Sequence, residues 1–337
     1  MMIPVAEQET AVLVKNFQGE LIYPGDANYD EARGIWNGMI DRRPALIARV
    51  ANVADVQAAV KFARDSNWPL SVRGGGHNVA GHAVNDDGLV IDLSLMNSVA
   101  VDADARLAYV GGGATIADVD KATQAFGLAT PLGVVTETGI AGLTLGGGFG
   151  HLRNKYGLSA DNLVAATLVT ADGRIVHASE KENGDLLWGL RGGGGNFGIV
   201  TNFVYKLYPV GPEIYFTAVF HHGDHAKAGL QMYREFSDVA PDEVSTLAFL
   251  GIVPDGAEPF PVEAHGERFV GFVAMYAGDP AEGEAIMRPL RKLSAKPLVD
   301  FSGVMPYLEA QQFFDEDYPA GEMRYYWKSL NLMHLDD

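Results

Sequence analysis

The segment Ser71–Ala80, which reads S-V-R-G-G-G-H-N-V-A, combines residue types that can bind a phosphorylated ligand and react with it. The glycines Gly74–Gly76 carry no side chains, so a ligand can reach backbone amides that form an anion-binding concavity suited to a pyrophosphate. Arg73 adds a positive charge before the glycines, and His77 places a nucleophilic imidazole directly after them. A tight turn needs fewer glycines. The segment therefore predicts an anion-binding loop with a reactive histidine.

Three further segments combine glycines with hydroxyl or aromatic residues, and with the histidine loop they form an ordered series. They read G-V-V-T-E-T-G-I-A-G-L-T-L-G-G-G-F-G at Gly133–Gly150, H-L-R-N-K-Y-G-L-S-A-D-N at His151–Asn162, and L-W-G-L-R-G-G-G-G-N-F-G-I-V at Leu187–Val200. Together the four segments resemble the berberine-bridge-enzyme-like FAD-linked oxidases of the vanillyl-alcohol-oxidase superfamily. The resemblance runs from about Pro44 to Pro209 and continues more weakly toward the C-terminus.

The resemblance implies an FAD-dependent oxidase or dehydrogenase with a PCMH-type FAD-binding domain. It implies that His77 bonds covalently to the 8α-carbon of FAD (an 8α-N-histidyl link). A hydride would then pass from a small-molecule alcohol, sugar or amine to the flavin, with molecular oxygen as the expected acceptor. Many relatives form a second bond through a cysteine at the position of Val135, so this chain is expected to form one bond only.

The same resemblance assigns positions along the cofactor. Val200 is expected near the adenine end, and a side chain of Val-like size at Thr138 is expected to leave oxygen access to the flavin. His82 and His151 are expected to be hydrogen-bonding groups near the flavin segments. The residues expected to bind FAD are Arg73, Gly74, Gly75, Gly76, His77, Asn78, Gly81, His82, Gly133, Val135, Thr138, Gly139, Gly142, Thr144, Gly147, Gly150 and Val200.

The end of the chain holds the candidate catalytic residues. Arg324, Tyr326 and Lys328 alternate with Tyr325 and Trp327, a pattern that also fits an amphipathic strand with one buried aromatic face. In the family the second-domain sheet covers the flavin, so Tyr326 and Lys328 are the candidates for the catalytic base. Full-length relatives continue further and return a segment to the FAD-binding domain. We therefore expect a C-terminally short chain without that segment, with impaired catalysis or a partner chain on an open sheet edge.

Two rival functions stay open at this point. The chain could be a non-catalytic flavin-binding protein that lacks its base, or a pyridine-nucleotide reductase. Gly193, Gly195 and Gly198 match the dinucleotide fingerprint G-x-G-x-x-G, which follows a strand and begins a helix. Here a helix is predicted before the glycines and a strand after them, which argues against the reductase. Residues 221–225 (H-H-G-D-H) lack a further spaced ligand, so no metal site is predicted.

Composition narrows the classes of partner. The net charge is −18, so the chain should repel nucleic acid and anionic membranes. No cysteine occurs, which excludes disulfides, thiolate catalysis and zinc–sulfur sites. The N-terminus lacks a basic region followed by an apolar core, and no apolar run approaches the roughly 18 residues of a membrane span. We expect a cytoplasmic protein that acts on a small molecule, with homo-oligomerisation left open.

The length of 337 residues favours two domains. Pro209, Gly211 and Pro212 break the pattern after a long predicted strand, which predicts an N-terminal arm (1–42), an FAD-binding domain (43–210) and a substrate-binding domain (211–337) that is incomplete relative to the family. The predicted fold class is α+β, with two α/β subdomains followed by an antiparallel sheet covered by helices on one face. Predicted helices are Ala54–Ser66, one that begins at Thr115 with a T-x-x-D cap, Asp185–Leu190, His225–Ser237 and Ala281–Leu293. Predicted strands are Leu46–Val50, Leu70–Val72, Leu89–Leu93, Leu107–Val110, Leu163–Thr170, Ile175–Ala178, Ile199–Tyr208, Ile214–Phe220, Thr246–Val253, Phe269–Tyr276 and Arg324–Leu330.

Overall fold

The computed structural model describes residues 10, 13, 15, 17–293, 296–330, 332 and 334. The first part of the predicted N-terminal arm and residues 335–337 therefore lie outside the described residues. Within the described part, three sheets of four or five strands and one two-stranded pair organise the chain. The mixed α+β class is as predicted.

The first sheet has the strand order β1-β2-β4-β3 and consists of β1 (Glu20–Ile22), β2 (Leu46–Arg49), β3 (Leu70–Arg73) and β4 (Leu89–Asp92). Two helices accompany it, α1 (Tyr29–Arg33) and α2 (Val53–Asp65). β2, β4 and β3 are parallel, and α2 connects β2 to β3. Val56, Val60 and Ala63 of α2 are buried, which confirms the face predicted from the sequence. This sheet ends β3 at Arg73 and delivers the chain directly into Gly74–Gly76.

The second sheet is antiparallel, with the order β5-β6-β10-β8-β9. Its strands are β5 (Val99–Asp102), β6 (Leu107–Gly111), β8 (Leu163–Val169), β9 (Ile175–Ser179) and β10 (Ile199–Lys206). The elements around it are α3 (Ile116–Gln124), β7 (Leu128–Ala129), α4 (Ile140–Leu145), α5 (Arg153–Tyr156), α6 (Gly184–Leu190) and β11 (Tyr208–Pro209), with β11 paired to β7. Thr115 and Asp118 form a reciprocal capping box at the start of α3, as the T-x-x-D pattern predicted.

The third sheet is antiparallel and has helices on one face. Its strands are β12 (Glu213–His222), β13 (Val244–Ile252), β14 (Arg268–Tyr276), β15 (Val299–Asp300) and β16 (Gly303–Pro306), and its helices are α7 (Ala226–Val239), α8 (Pro280–Arg291) and α9 (Tyr307–Gln311). Side chains alternate along β12, as they must in a strand. Tyr215 and Val219 pack with Met287 of α8, whereas Phe216 packs in a second cluster with Leu152 of the preceding sheet region. The helix-free face therefore points toward the glycine segments.

The predicted strand Arg324–Leu330 is wrong, because the backbone there is irregular. Its hydrogen bonds go to the loop after α1 instead of to a neighbouring strand. The Tyr325 amide donates to the Asn37 side-chain oxygen at 3.0 Å, and the Asn37 amide group donates to the Tyr325 carbonyl at 2.9 Å. The Gly38 amide also donates to the Met323 carbonyl at 2.9 Å. The expectation that no segment returns to the first domain is therefore also wrong, because this segment packs there.

Candidate functional site

A cavity of about 1020 Å³ lies between the glycine segments and the helix-free face of the third sheet. The histidine loop, residues 133–149 and residues 194–200 form most of its wall. Leu247 and Phe249 of β13 face it from the third sheet, and Trp36 and Trp327 lie on its border. The described lining contains no Asp, Glu, Lys or Arg. The cavity can therefore hold a large molecule whose polar groups are met by backbone amides.

Two glycine loops cross in direct backbone contact at the base of this cavity. A Cβ atom on Gly75 would lie 2.6 Å from the Cα of Gly139, and a Cβ on Gly139 would lie 2.7 Å from the Cα of Gly75. Side-chain atoms do not tolerate contacts this short. Gly76 has a φ of +74°, which L-residues with side chains rarely adopt. The glycines are therefore required by the crossing itself, and they leave bare backbone on the cavity side.

His77 is half-buried and held on two sides. Its Nδ1 lies 3.3 Å from the Thr138 hydroxyl oxygen, which supplies the orienting partner that the sequence could not identify. Its ring stacks on Trp36, with centroids 5.0 Å apart and planes inclined by 17°. Burial lowers the pKa of His77 to about 4, so the imidazole is neutral at pH 7. A neutral imidazole keeps one unprotonated, nucleophilic nitrogen.

Arg73 does not supply a free positive charge to the loop, in contrast to the sequence-based interpretation. Its guanidinium donates to Asp92 at 2.6 Å and to the carbonyls of Ala32 and Gly34 at 2.5 and 3.0 Å. Although burial alone would raise the pKa of Asp92, the Arg73 guanidinium holds it below its usual range. Arg73 is absent from the described cavity lining. It therefore ties β3 and β4 to α1, and acts on the loop through the fold.

The structure brings most of the other predicted cofactor residues to the cavity. Those that line it are Gly74, Gly75, Gly76, His77, Asn78, His82, Gly133, Val135, Thr138, Gly139, Gly142 and Val200. Four further residues are placed behind the wall: Gly81, Thr144, Gly147 and Gly150. Thr144, for example, is buried, and its hydroxyl bonds the Tyr205 hydroxyl at 2.7 Å. These four shape the wall without facing the cavity.

The candidate catalytic residues Tyr326 and Lys328 are not brought to the cavity. Tyr326 is 74% exposed, and the Lys328 ammonium lies over its ring at 5.8 Å. Trp327, on the opposite side of the alternation, lines the cavity instead. The assignment fails because it assumed a pleated strand, and the segment is irregular.

Sequence reasoning missed six side chains of the wall. They are large and apolar or aromatic, and they come from parts of the chain far from the glycine segments. A periodic pattern records burial and not which cavity a side chain faces, so no sequence signal separated them from core residues. The missed residues are Trp36, Leu247, Phe249, Phe314, Tyr318 and, as a wall residue, Trp327.

His151 packs behind the wall and not as the hydrogen-bonding group that was expected. It is 2% exposed, stacked on Phe314 at 6.2 Å and edge-on to Phe216 at 5.8 Å. Burial, with a smaller contribution from Arg153, lowers its pKa to about 3. Its Nε2 has no hydrogen-bond partner among the described residues. His151 is therefore a neutral packing residue that supports Phe314.

Polar contacts fasten the wall segment 133–139 to α9 and the residues after it. The Gln311 amide donates to Asp120 of α3 at 3.1 Å and to the Gly133 carbonyl at 3.3 Å. Asp315 accepts from the Thr136 amide at 2.7 Å and from the Thr136 hydroxyl at 2.5 Å. Burial raises the pKa of Asp120 to about 7. The segment that carries Thr138 is thus fixed to the segment that carries Phe314.

Asp120 gives the folded protein a pH dependence of definite sign. Its folded pKa lies above the ordinary aspartate value of about 4, so the folded state binds an extra proton between pH 4 and 7. The contribution of this group to the free energy of unfolding therefore falls as pH rises through that range, by on the order of 4 kcal/mol. We expect Asp120→Asn to flatten the fall, measured by urea unfolding from pH 4 to 8. Glu309→Gln changes an exposed carboxylate on α9 and should keep the wild-type slope; equal slopes in Asp120→Asn and wild type would contradict the assignment.

Within the described residues, no helix is long and apolar enough to cross a membrane, and no three His, Asp or Glu side chains are grouped to hold a metal ion. The metal-like segment 221–225 instead contains a buried His221 on β12. The prediction of no metal site stays a prediction.

Comparison with known proteins places this fold among flavoproteins. The family described as an FAD binding domain matches residues 44–179. (R)-6-hydroxynicotine oxidase of Paenarthrobacter nicotinovorans is 46% identical over 193 residues, which are 57% of this chain and 42% of the relative. An FAD-linked oxidoreductase of Dictyostelium discoideum is 32% identical over 315 residues, 93% of this chain and 65% of the relative. The chain therefore spans about two fifths to two thirds of the length of these curated relatives.

Solved structures share the whole arrangement. 6-Hydroxy-D-nicotine oxidase from Arthrobacter nicotinovorans superposes with a TM-score of 0.82 at 34% identity, covering 91% of this chain and 66% of that one. A chitooligosaccharide oxidase superposes with a TM-score of 0.76 at 25% identity, covering 91% of this chain and 63% of that one. The similarity thus extends through the third sheet as well as the two sheets around the glycine segments.

Proposed function

This chain belongs to the berberine-bridge-enzyme-like family of FAD-linked oxidoreductases, and from that membership we propose that it binds FAD in the cavity beside His77 and oxidises a small molecule with it. The substrate would be an alcohol, sugar or amine, and molecular oxygen would accept the electrons. The relatives named above are called oxidases of a hydroxynicotine and of chitooligosaccharides, so the family name alone does not choose between an amine and a sugar.

One observation carries the proposal: a neutral imidazole stands at the wall of a large cavity whose base is bare glycine backbone. The residues present fit FAD. The cavity of about 1020 Å³ is large enough for a dinucleotide, and the crossing of Gly75 and Gly139 removes the Cβ atoms that would fill its base. Backbone amides of Gly74–Gly76 supply donors for phosphate oxygens. The apolar wall would accept a flat ring system.

When bound, FAD accepts a hydride from a substrate carbon and passes the electrons to oxygen. The chain's own residues supply the rest. Leu247, Phe249 and Phe314 would orient the substrate and exclude water. Burial, with a smaller contribution from Asp317, raises the pKa of the Tyr318 phenol, so this group is a hydrogen-bond donor at pH 7 and not a base. His77 would anchor the flavin and not move protons.

The lining also favours a second candidate, a flavin-binding protein without turnover. The described lining includes no carboxylate and no lysine that could take a substrate proton, and Tyr326 and Lys328 lie elsewhere. Anaerobic mixing with a panel of amines, sugars and alcohols separates the two functions. Bleaching of the flavin by one class, followed by peroxide formation in air, would support the oxidoreductase; bleaching by none would support the non-catalytic binder. Rapid bleaching by NADH would instead support a reductase.

We expect a single covalent flavin bond, at His77, because Val135 has no nucleophile to form a second. Acid-precipitated wild-type protein should stay yellow, and mass spectrometry of the peptide that spans His77 should show the added mass of FAD. His77→Ala should keep FAD in neutral buffer and release it in acid. His82→Ala, which changes the other histidine of the wall, should keep the colour in acid. An unmodified His77 peptide from yellow wild-type protein would contradict the covalent bond while leaving FAD binding intact.

A further inference from the structure

The His77 ring is oriented by contacts that distinguish its two nitrogens. Nδ1 faces the Thr138 hydroxyl at 3.3 Å. The described residues provide no hydrogen-bond partner for Nε2, although His77 borders the cavity. The two nitrogens of a neutral imidazole are not equivalent, because one carries hydrogen and the other the free lone pair. The partner of Nδ1 therefore decides which nitrogen can act as a nucleophile.

The groups that hold the ring are themselves fixed. The Thr138 amide donates to the Val135 carbonyl at 3.1 Å, and the Thr138 carbonyl accepts from the Ile116 amide at 3.0 Å. On the ring face, the Trp36 indole nitrogen donates to the Tyr318 carbonyl at 2.9 Å. Tyr325 stacks on Trp36 with centroids 3.8 Å apart and planes 7° apart. Ring plane and ring rotation are thus set before any ligand arrives.

We propose that Thr138 is a positioning residue that accepts a hydrogen bond from Nδ1–H of His77 and so makes Nε2 the nitrogen that bonds to the flavin. This inference rests on the proposed function, since it assumes that the flavin is attached at His77. It assigns a role to the Thr138 hydroxyl, which its size alone would not require. Nε2 then carries the lone pair, and Nδ1 is occupied.

The step balances with molecular oxygen as the oxidant. The Nε2 lone pair forms a bond to the 8α-carbon of the flavin, and one C–H bond of that methyl group breaks. The Nδ1 proton is lost as the imidazole returns to neutrality. Two electrons remain on the flavin, and oxygen takes them together with two protons to give hydrogen peroxide. The attached flavin ends oxidised, with one N–C bond gained and two hydrogens lost from the pair.

The attachment atom can be read directly. Wild-type protein loaded with FAD in air is digested, and the histidyl-flavin peptide is examined by two-dimensional proton–carbon NMR. In an Nε2 link the 8α protons correlate with Cδ2 and Cε1 of the imidazole, whereas in an Nδ1 link they correlate with Cγ and Cε1. We expect the first pattern. The second pattern would overturn the inference and leave covalent attachment intact.

The role of the hydroxyl is tested by Thr138→Val, which keeps the size and removes the hydroxyl, and by Thr138→Ser, which keeps the hydroxyl. The full-length variants are incubated with FAD in air, and acid-stable flavin is followed with time. Loss of one orienting hydrogen bond should slow attachment about tenfold or more in Thr138→Val, with a rate near wild type in Thr138→Ser.

Equal rates in wild type and Thr138→Val would overturn the positioning role. If Thr138→Val does not fold, the NMR pattern of wild type and the rate of Thr138→Ser decide the question. Wild-type protein that releases all its flavin in acid overturns this inference together with the covalent part of the proposed function. Flavin binding itself is read separately, from the absorbance of the protein in neutral buffer.

Discussion

Replacing Gly139 with alanine should leave a chain that retains little or no FAD. The added Cβ would lie 2.7 Å from the Cα of Gly75 and 3.1 Å from the carbonyl carbon of Gly74, and both are backbone atoms that cannot rotate away. The two loops must separate, which would disturb the hydrogen bond from the Ile140 amide to the Ala114 carbonyl at 3.0 Å. We expect destabilisation of about 1–3 kcal/mol or more, measured by urea unfolding, and a flavin-to-protein ratio well below wild type.

Gly142→Ala is the matched control for stability. It changes a glycine of the same wall, in α4, where a Cβ would meet no atom within 4 Å. Alanine is the better helix former by up to about 1 kcal/mol, so this variant should unfold at or above the wild-type urea concentration. A Gly139→Ala protein as stable as Gly142→Ala, with a full complement of flavin, would show that the crossing of the two loops is not required.

Replacing Asp92 with alanine should destabilise the fold by about 3–5 kcal/mol, because it leaves the buried Arg73 guanidinium without its counter-charge. Asp92 is buried and accepts from Arg73 at 2.6 Å, from Arg49 at 3.2 Å and from the Ser94 amide at 3.0 Å. Because its folded pKa is depressed, the stability it contributes is present at neutral pH and is lost as pH falls below about 4. Urea unfolding at pH 7 measures the effect.

The control is Asp172→Ala, which breaks an exposed pair with Arg174 of similar length, 2.6 Å. Exposed pairs contribute at most about 1 kcal/mol, so this variant should unfold close to wild type. If Asp92→Ala and Asp172→Ala lost equally little stability, the buried pair would not anchor the loop. Loss of stability in Asp92→Ala should also lower flavin content, since β3 leads directly into Gly74–Gly76.

Local patterns predicted the elements and the glycine loops well. The buried face of α2, the capping box at Thr115 and the inverted strand–helix order around Gly198 all follow from residues close together in the sequence. The position of His77 at a cavity also followed, because three glycines before a histidine leave it beside bare backbone. These features depend on short-range geometry, which the order of residues encodes directly.

Long-range pairing explains what the sequence did not reveal. Arg73 looked free because Asp92, its partner, is distant in sequence and meets it only through the parallel register of β3 and β4. The aromatic alternation near Tyr325 looked like a strand because a sequence cannot show that the Asn37 side chain takes up the Tyr325 backbone groups. Trp36 reached the cavity by the same contact between distant segments.

The contacts that fasten the flavin wall to α9 bear on how such a protein can be recombined. A crossover near Pro209 would inherit Asp120 and Thr136 from one parent and Gln311 and Asp315 from the other. A graft that lost either partner would strand a buried carboxylate or leave a wall amide unpaired. The cofactor half and the substrate-facing half are therefore inherited as a matched pair, and new specificities arise more readily by substitutions within β13 than by exchange of the whole second half.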